Sequence, residues 1–207
     1  MSKGKKFSLD FYQKRAHEKA KTFNKPRPLS EFLVGLIGDK QEVHIADLGA
    51  GMFPIFGNYL DGKCIHLYSS DFLAVEYMKI LQQLGIEPLI PIEYQDMTKL
   101  THQSDFFDVV CCINALDHCE DPKAALQEIY RVCKNGGWIY LQHHTESGIK
   151  NRYMGMHFWN VDMDDEGGDS FFFSQEEKFF LSEVIPGFSN EREEIDRSHY
   201  ITSRFQK

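Results

Sequence analysis

Strand-like and helical patterns alternate along residues 42–145, and this alternation restricts the fold more than any other feature of the chain. Five short apolar segments have strand character: EVHIADL, KCIHLYSSD, EPLIPIEYQD, FFDVVCCIN and WIYLQHH. Helical spacing of apolar residues occurs between them, in FLAVEYMKILQQLG and in DPKAALQEIYRV. Such an alternation is typical of a doubly wound parallel sheet, so the sequence predicts an α/β, Rossmann-like fold.

The remaining segments complete one predicted domain over residues 1–207. Residues 1–40 carry the patterns of two helices, which are separated by the helix-breaking sequence NKPRP. Residues 146–173 are predicted to form an inserted loop and hairpin, because MHFWNVD and DSFFF flank the turn-forming MDDEGG. Residues 174–207 are predicted to form a helix that begins at Ser174, followed by the strands NEREEIDRS and HYITSRF. The prediction is therefore a sheet of seven strands with an antiparallel C-terminal strand.

Composition and charge exclude several classes of protein. The net charge of −8 gives no support for a nucleic-acid groove, and no apolar run is long enough to cross a membrane. The basic start MSKGKKF lacks the apolar segment of a secretory signal, and the cysteine count of five is odd, so reduced thiols in a cytoplasmic protein are expected. No CxxC pair occurs, and the acidic run DMDDEGGD is typical of a solvated turn, so no metal site is predicted.

Polar side chains follow four of the predicted strands at the points where the strands end. They are Asp47, Asp71, Asp96, and Asn114 together with Asp117. In a doubly wound sheet, ligands bind beyond the carboxyl ends of the strands, where the strand order reverses. Each residue alone also has a purely structural interpretation, such as a helix cap for Asp96. Their recurrence at successive strand ends favours a ligand site, where carboxylates accept hydrogen bonds from ribose hydroxyls or amines.

The first of these strands leads into the glycine turn LGAG. Gly49 and Gly51 allow the backbone to approach a ligand closely. About twenty residues separate Gly51 from Asp71, the spacing at which an acid on the second strand holds a ribose diol. A dinucleotide-dependent dehydrogenase shares this arrangement, but the turn lacks the full GxGxxG spacing.

In chain order, HIADLGAG, the acids of LYSSD and YQDM, FDVVCCINALDH and RVCKNGGWIYL resemble the class I S-adenosylmethionine-dependent methyltransferases, in their methyltransferase-11-like branch. The resemblance covers residues 42–145 and is most specific in RVCKNGGWIYL. NALDHCEDP is similar to a subgroup that methylates sugars or other small polar metabolites. The family commonly has a third glycine where this chain has Phe53, which limits the implied contacts of the turn to those up to Gly51.

The resemblance implies a set of residues that hold the cofactor S-adenosylmethionine. They are Asp47, Gly49, Ala50, Gly51, Asp71, Phe72, Asp96, Met97 and Asn114. Asp47 and the glycine turn should lie against the methionine part of the cofactor. Asp71 should accept the ribose hydroxyls, with Phe72 packed on the adenine. Asp96 should receive the adenine amino group beside the backbone amide of Met97, and Asn114 should face the sulfonium.

Methyl transfer from a sulfonium is an in-line displacement, so the main task of the protein is to align the nucleophile, the carbon and the sulfur. An alcohol nucleophile also gains from a general base. His118, after the fourth strand, is the first candidate. His143 and His144 end the fifth strand and alternate in direction, so only one of them is expected to face the pocket. A structural hydrogen bond is the alternative role for each histidine.

Four further residues are predicted to bind the acceptor. His157 and Trp159 belong to the inserted hairpin, whose aromatic side chains are expected to cover the acceptor and exclude water. Filling of the core, or a contact in a homodimer, is the alternative role for these rings. Tyr12 and Arg27 are expected to close the other side of the pocket, where Arg27 suits a phosphate or carboxylate on the acceptor.

The sequence thus predicts an S-adenosylmethionine-dependent methyltransferase that acts on a small polar acceptor, such as a hydroxyl of a sugar or sugar nucleotide. Two alternatives stay open at this point. One is an NAD(P)-dependent oxidoreductase of related fold, and the other is a non-catalytic protein that binds S-adenosylmethionine.

Overall fold

A computed structural model of the chain describes residues 3–164, 168–185 and 200–207. The helices are α1 (Lys3–Phe23), α2 (Glu31–Ile37), α3 (Ala74–Gln83), α4 (Pro122–Val132), α5 (Ser147–Lys150) and α6 (Leu181–Val184), with a 3-10 turn at Leu116–His118. The strands are β1 (Glu42–Leu48), β2 (Cys64–Asp71), β3 (Ile92–Tyr94), β4 (Phe107–Ile113), β5 (Cys133–His144), β6 (Asn160–Met163), β7 (Ser170–Phe173), β8 (Lys178–Phe180) and β9 (Tyr200–Gln206). Over the described ranges, none of these helices combines the length and the apolar composition that a membrane crossing requires.

The main sheet has the strand order β3-β2-β1-β4-β5-β9. Its first five strands are parallel, and β9 runs antiparallel to β5. The predicted α/β, Rossmann-like fold with an antiparallel last strand is therefore confirmed. Seven strands were expected, and the described residues supply six strands to this sheet. The other expected strand, NEREEIDRS, lies in 186–199, outside the described residues.

The order of the strands reverses between β1 and β4, because the chain first builds the sheet outward through β2 and β3 and then returns to the other side of β1. A doubly wound sheet opens a crevice at this point, beyond the carboxyl ends of its strands. Six of the seven residues of β4 are buried, as expected for a central strand covered on both faces. Cys111 and Cys112 lie within it as small apolar side chains that have no exposed surface.

Helix α1 lies over the carboxyl ends of β1 and β2 through a cluster of buried side chains. Ala16 of α1 packs with Tyr77 and Leu81 of α3, and with Met52 and Phe53 of the loop after β1. Phe53 occupies the position of the family's third glycine and is 4% exposed in this cluster. The departure from the glycine pattern thus anchors the first helix to the loop.

The segment after β5 contains a small sheet of its own. Strand β6 pairs antiparallel with β7, which confirms the predicted hairpin, and β8 pairs with the other edge of β7. The helix predicted from Ser174 begins only at Leu181, because residues 178–180 form a strand in which Lys178 is exposed and the next side chain is buried. Phe179 is buried and stacks on Phe172. The Ser174 hydroxyl accepts N–H groups of Glu176 and Glu177 and so closes a local turn instead of starting a long helix.

A buried acid on β4 joins three segments at the opposite, amino-terminal edge of the sheet. The Asp108 carboxylate accepts hydrogen bonds from Lys40 Nζ and Lys134 Nζ at 2.8 Å each and from the His44 N–H at 3.0 Å. Burial alone would raise the pKa of Asp108, but these donors outweigh burial and lower that pKa to about 2. The ionised carboxylate therefore stabilises the folded state.

Replacing Asp108 by asparagine should lower the free energy of unfolding by about 2 kcal/mol at pH 7, because two charge-assisted hydrogen bonds are weakened. The unfolded carboxyl has a pKa of about 3.9, so the stabilising effect is complete above that pH and is lost as the pH falls towards 2. Urea unfolding of both proteins between pH 7 and pH 2.5 measures this difference. The matched Asp61→Asn variant, at an exposed acid, should be neutral, and equal stability of wild type and Asp108→Asn at pH 7 would contradict the assignment.

Candidate functional site

A cleft of about 520 Å³ opens beyond the carboxyl ends of the central strands. Its walls come from α1, from the turns that follow β1, β2, β3 and β4, and from the segment before β6. Eight residues predicted from the sequence line it together: Tyr12, Gly49, Asp71, Phe72, Asp96, Met97, Asn114 and His118. A second, more apolar groove of about 690 Å³ runs along α3 and β3 at the outer edge of the sheet, and its described lining contains none of the predicted site residues.

The glycine turn after β1 forms one wall of the cleft. The N–H groups of Gly49 and Ala50 both donate to the carbonyl oxygen of Ser70, at 2.8 and 3.0 Å. Gly49 has φ of +72°, and a Cβ atom there would lie 2.2 Å from the Cβ of Ala115. Only glycine fits this position, since the backbone of the turn lies directly against the chain that leaves β4.

Asp47 ends β1, two residues before Gly49, and is 3% exposed. Its Oδ2 atom is buried and accepts no hydrogen bond from the described residues. Burial, together with the negative charge of Asp71, raises the pKa of Asp47 to about 8. A buried carboxylate without a partner is costly, and a cationic group nearby would remove that cost. Asp47 itself is not part of the cleft lining.

Asp71 ends β2 and holds the glycine turn in place. Its Oδ2 atom accepts the N–H of Gly51 at 3.0 Å, and its Oδ1 atom accepts the N–H of Leu73 at 2.8 Å. Burial raises the pKa of Asp71, although these two N–H groups oppose the shift. The carboxylate also borders the cleft, where its remaining lone pairs can accept hydroxyl groups. The next residue, Phe72, presents a ring that is 40% exposed at the cleft.

Asp96 and Asn114 border the cleft from the turns after β3 and β4. The Oδ1 atom of Asp96 accepts both the N–H and the hydroxyl of Thr98, at 2.9 and 2.7 Å. Asn114 adopts a left-handed conformation with φ of +49°. Its amide oxygen accepts the N–H of His144 at 2.9 Å, so the amino group is the part of this side chain left for a ligand.

Helix α1 closes the cleft above the glycine turn. The Tyr12 ring lies 4.7 Å from that of Tyr77, and a Cβ atom at Gly51 would lie 2.3 Å from the Tyr12 hydroxyl. Burial, with the charge of Asp71 nearby, raises the pKa of Tyr12 to about 12. The Ser8 hydroxyl also donates to the Met156 sulfur at 3.7 Å, which connects α1 to the segment before β6. Because the Tyr12 hydroxyl fills the space that a Cβ atom at position 51 would need, Gly51 is required for α1 to approach the turn.

His118 lies in a cluster with Asp117 and His157. His118 Nε2 is 3.1 Å from His157 Nδ1, and both atoms lie near Asp117 Oδ2, at 3.4 and 3.2 Å. Burial lowers the pKa of His118, and the charge of Asp117 only partly offsets that effect. Burial alone would raise the pKa of Asp117, but the His157 hydrogen bond and the neighbouring imidazoles lower it. A neutral imidazole beside an ionised carboxylate can accept a proton and keep the resulting cation stable.

The two histidines at the end of β5 lie away from the cleft. His143 is buried, and its Nε2 atom accepts the N–H of Leu116 at 3.2 Å. Burial lowers the pKa of His143 to about 4, so it stays neutral as a structural acceptor. His144 is exposed and stacks on Tyr200 with ring centroids 4.2 Å apart. Contrary to the expectation from strand alternation, neither ring is part of the cleft lining.

Two predicted acceptor-binding residues also lie elsewhere. The Arg27 guanidinium donates to the carbonyl oxygen of Pro54 at 3.1 Å and thereby holds the loop after β1. Trp159 is 7% exposed and packs edge-on against Phe179. Its ring fills the core beneath the small sheet, which was the alternative role for the aromatic hairpin.

Acidic side chains dominate the charge of the cleft. Glu120 and Asp121 line it along with Asp71 and Asp96, whereas Lys5 is the single lysine or arginine among its described lining residues. Burial, followed by the charges of Asp96, Asp117, Asp121 and Asp71, raises the pKa of the Cys119 thiol to about 12. Glu120 was missed from the sequence, and Asp121 was interpreted only as a helix cap, which it also is. The cleft is thus electrostatically suited to a cation.

Two groups of side chains in the described ranges are close enough to hold a metal ion. One is Asp117, His118 and His157 at the cleft, and the other is Glu42, Cys64 and His66 at the amino ends of β1 and β2. Neither group follows a familiar ligand spacing in the sequence, because each combines residues of different elements.

Residues 46–141 match a protein-family model described as a methyltransferase domain. This matched segment, somewhat less than half of the chain, is similar to a methyltransferase domain. S-adenosylmethionine is the cofactor of class I methyltransferases, and the acid-bordered crevice at the switch point of the sheet is where such a domain binds it.

The most similar curated relatives include two proteins named ubiquinone biosynthesis O-methyltransferase. The one from Nitrosomonas europaea is 26% identical over 51% of this chain and 45% of its own length. The one from Bordetella avium is 30% identical over 53% of this chain and 46% of its own length. The matched part of the methyltransferase domain thus spans less than half the length of these relatives.

Among solved structures, the PH0226 protein from Pyrococcus horikoshii OT3 is similar over 84% of this chain and 86% of its own, with a TM-score of 0.51. Its sequence is 16% identical, so this likeness shows a shared fold alone.

Replacing Asp47 by asparagine should stabilise the ligand-free methyltransferase domain by about 5 kcal/mol at pH 8. The folded-state pKa of about 8 lies above the ordinary value of 3.8, so wild-type stability is complete below pH 4 and declines as the pH rises to about 8. Asparagine does not titrate, and the gain should therefore vanish at pH 4. Urea unfolding at both pH values measures it, with the exposed-site variant Asp39→Asn as a control. No gain at pH 8 would show that folding ionises Asp47 without cost.

Proposed function

We propose that this chain transfers the methyl group of S-adenosylmethionine to a hydroxyl group of a small-molecule acceptor. The observation that carries the proposal is the buried Asp47 carboxylate, whose Oδ2 atom has no partner among the described residues, next to an acid-lined cleft. S-adenosylmethionine brings a sulfonium and an ammonium group, and both are cations. The site therefore complements the charge of this cofactor.

The residues of the adenosine end fit the same cofactor. Asp71 has lone pairs directed at the cleft while its N–H contacts fix its position, which suits a ribose diol. The exposed Phe72 ring offers a stacking surface for the adenine. Asp96 Oδ1 is held by Thr98, and its Oδ2 atom receives no hydrogen bond from the described chain, which leaves it for the adenine amino group.

The alternative of an NAD(P)-dependent oxidoreductase is disfavoured by charge. A dinucleotide carries a pyrophosphate, which sites of this kind bind with backbone N–H groups at a helix start. Here the N–H groups of Gly49 and Ala50 are committed to the Ser70 carbonyl oxygen. The pyrophosphate would also lie among the carboxylates of Asp71 and Asp96.

S-adenosylmethionine, when bound, supplies a methyl group on a positively charged sulfur. The chain contributes alignment of the acceptor and removal of its proton. His118 borders the cleft and is neutral near pH 7, so its imidazole takes the hydroxyl proton. Asp117 is buried and ionised beside it and stabilises the imidazolium, while His157 bridges the two. Met156 and Phe158 cover this end of the cleft and exclude water.

The acceptor is inferred from its neighbours. Met156 and Phe158 offer apolar contacts beside His118, which favours a hydroxyl on a flat, partly apolar molecule such as a phenol or catechol. The relatives named O-methyltransferase support oxygen as the accepting atom. The sugar or sugar nucleotide hydroxyl expected from the NALDHCEDP segment stays a prediction, which a direct comparison of acceptors can test.

Calorimetry should detect binding of S-adenosylhomocysteine, the demethylated product, and no binding of NADH under the same conditions. Asp71→Ala should weaken S-adenosylhomocysteine binding by about 10- to 100-fold, because hydrogen bonds to a charged group are lost and the glycine turn loses its anchor. Asp61→Ala, at an exposed acid that is not among the residues lining the cleft, is the matched control. Tight NADH binding without a response to S-adenosylhomocysteine would overturn the proposed function.

His118→Ala should reduce the rate of methyl transfer by about 10²- to 10³-fold while affinity for S-adenosylhomocysteine is unchanged, since a general base contributes to the chemical step alone. The rate is measured with whichever acceptor turns over in a panel of phenols, catechols and sugar nucleotides. His144→Ala, at an exposed histidine outside the cleft lining, should keep the wild-type rate. A wild-type rate in His118→Ala would remove His118 as the base.

A further inference from the structure

We propose that Glu42, His44, Cys64 and His66 form a zinc-binding site at the amino-terminal edge of the main sheet. The site lies outside the methyltransferase cleft. Each donor type in it, a thiolate, two imidazoles and a carboxylate, is a common zinc ligand.

Strand register brings these side chains together. Glu42 is paired with Cys64, and His44 is paired with His66, in the parallel ladder of β1 and β2. Side chains two residues apart on a strand point to the same face of the sheet. All four donors therefore project from one face, in two adjacent rows.

Two of the distances between the donor atoms are close to those around a zinc ion, and the ligand atoms of Glu42, Cys64 and His66 all lie within 4.8 Å of one another. His66 Nε2 lies 3.3 Å from Cys64 Sγ and 3.0 Å from Glu42 Oε1. Zinc bonds of about 2.0–2.3 Å in a tetrahedron separate neighbouring ligand atoms by about 3.3–3.6 Å. Three donors from two strands thus already define one face of a coordination shell, close to the required size.

His44 is placed as the fourth ligand. Its Nε2 atom is 3.9 Å from Glu42 Oε1, and its ring stacks on the His66 ring with centroids 4.6 Å apart. Its other ring nitrogen, Nδ1, is 3.1 Å from the Tyr68 hydroxyl. Zinc-bound histidines usually donate their second N–H to such a partner, which fixes the ring and leaves Nε2 for the metal.

The donor set selects the metal. A thiolate with imidazoles favours zinc over magnesium or calcium, which prefer shells of oxygen ligands. The Cys64 thiol loses its proton to the solvent when the Zn–S bond forms, so no oxidant or other reactant is needed. Glu42, with 66% of its side chain exposed, leaves the site open to ions from solution.

The position of the site indicates a structural role. Glu42 and Cys64 begin their strands, whereas Gly49 follows the last residue of β1 and Asp71 is the last residue of β2. The two ends of the seven-residue strand β1 are about 20 Å apart. A zinc ion here joins the starts of two neighbouring parallel strands. It does not approach the cofactor cleft, so the proposal is independent of the proposed methyl transfer.

The test uses the full chain after removal of metal with a chelator. Zinc titration by calorimetry should show a site that Cys64→Ser weakens by at least about 100-fold, since loss of an outer partner alone costs about 10- to 100-fold. Cobalt(II), added as a spectroscopic probe, should produce a thiolate-to-metal charge-transfer band and tetrahedral visible bands. Both should disappear in Cys64→Ser and persist in Cys119→Ser, the matched control beside the cleft.

Thermal unfolding gives a second readout. Zinc should raise the melting temperature of wild type and Cys119→Ser with increasing zinc concentration, and should leave Cys64→Ser unchanged, since a metal bound to the folded state stabilises it. The proposal is overturned if wild type shows no thiolate band. It is equally overturned if Cys64→Ser keeps wild-type zinc affinity, which would assign the metal to Asp117, His118 and His157 instead.

Discussion

The close approach of Gly49 to Ala115 is the contact on which the cleft depends. It joins the carboxyl ends of β1 and β4 at the point where the strand order reverses, and a methyl group at Gly49 would lie 2.2 Å from the Ala115 side chain. The contact fixes the turn after β1 against the turn that carries His118. In the proposed function, the cofactor and the acceptor would therefore bind against the same pair of turns, which favours the alignment that an in-line displacement requires.

A second consequence of this geometry is electrostatic. The parallel sheet delivers the acids of successive strands to one edge, and the turns hold them there with N–H groups, as Leu73 and Gly51 hold Asp71. Asp47 receives no such donor on its buried Oδ2 from the described residues. With a pKa of about 8, Asp47 is largely protonated in the ligand-free folded chain near pH 7, and a cationic ligand beside it would favour the ionised form. At Asp47, ionisation disfavours folding of the ligand-free chain, whereas the same ionised carboxylate favours binding of a cation.

The sequence predicted those parts of the fold that depend on local pattern. Each core strand is short and apolar and ends near a polar residue, so β1, β2 and β4 and the cleft acids could be placed from the chain alone. The predicted helix after Ser174 begins only at Leu181 because its capping residue closes a turn, and Phe179 is held in a strand by stacking on Phe172. The sequence around Phe179 contains no pattern that predicts this tertiary contact. Strand alternation likewise suggested that His143 or His144 faces the pocket, but the sheet places one under Leu116 and the other on Tyr200.

The two edges of the sheet differ in how their buried carboxylates are stabilised. At the carboxyl edge, the buried Oδ2 atom of Asp47 has no donor among the described residues. At the amino edge, Asp108 has three donors from three segments, and its pKa falls to about 2 because its ionised form is favoured in the folded state. The His44 N–H is one of these donors, and the His44 ring belongs to the cluster of Glu42, Cys64 and His66. Asp108 is thus a stabilised buried acid at the edge opposite the cleft. This separation lets the edge at the cleft keep a costly buried carboxylate and still belong to a stable sheet.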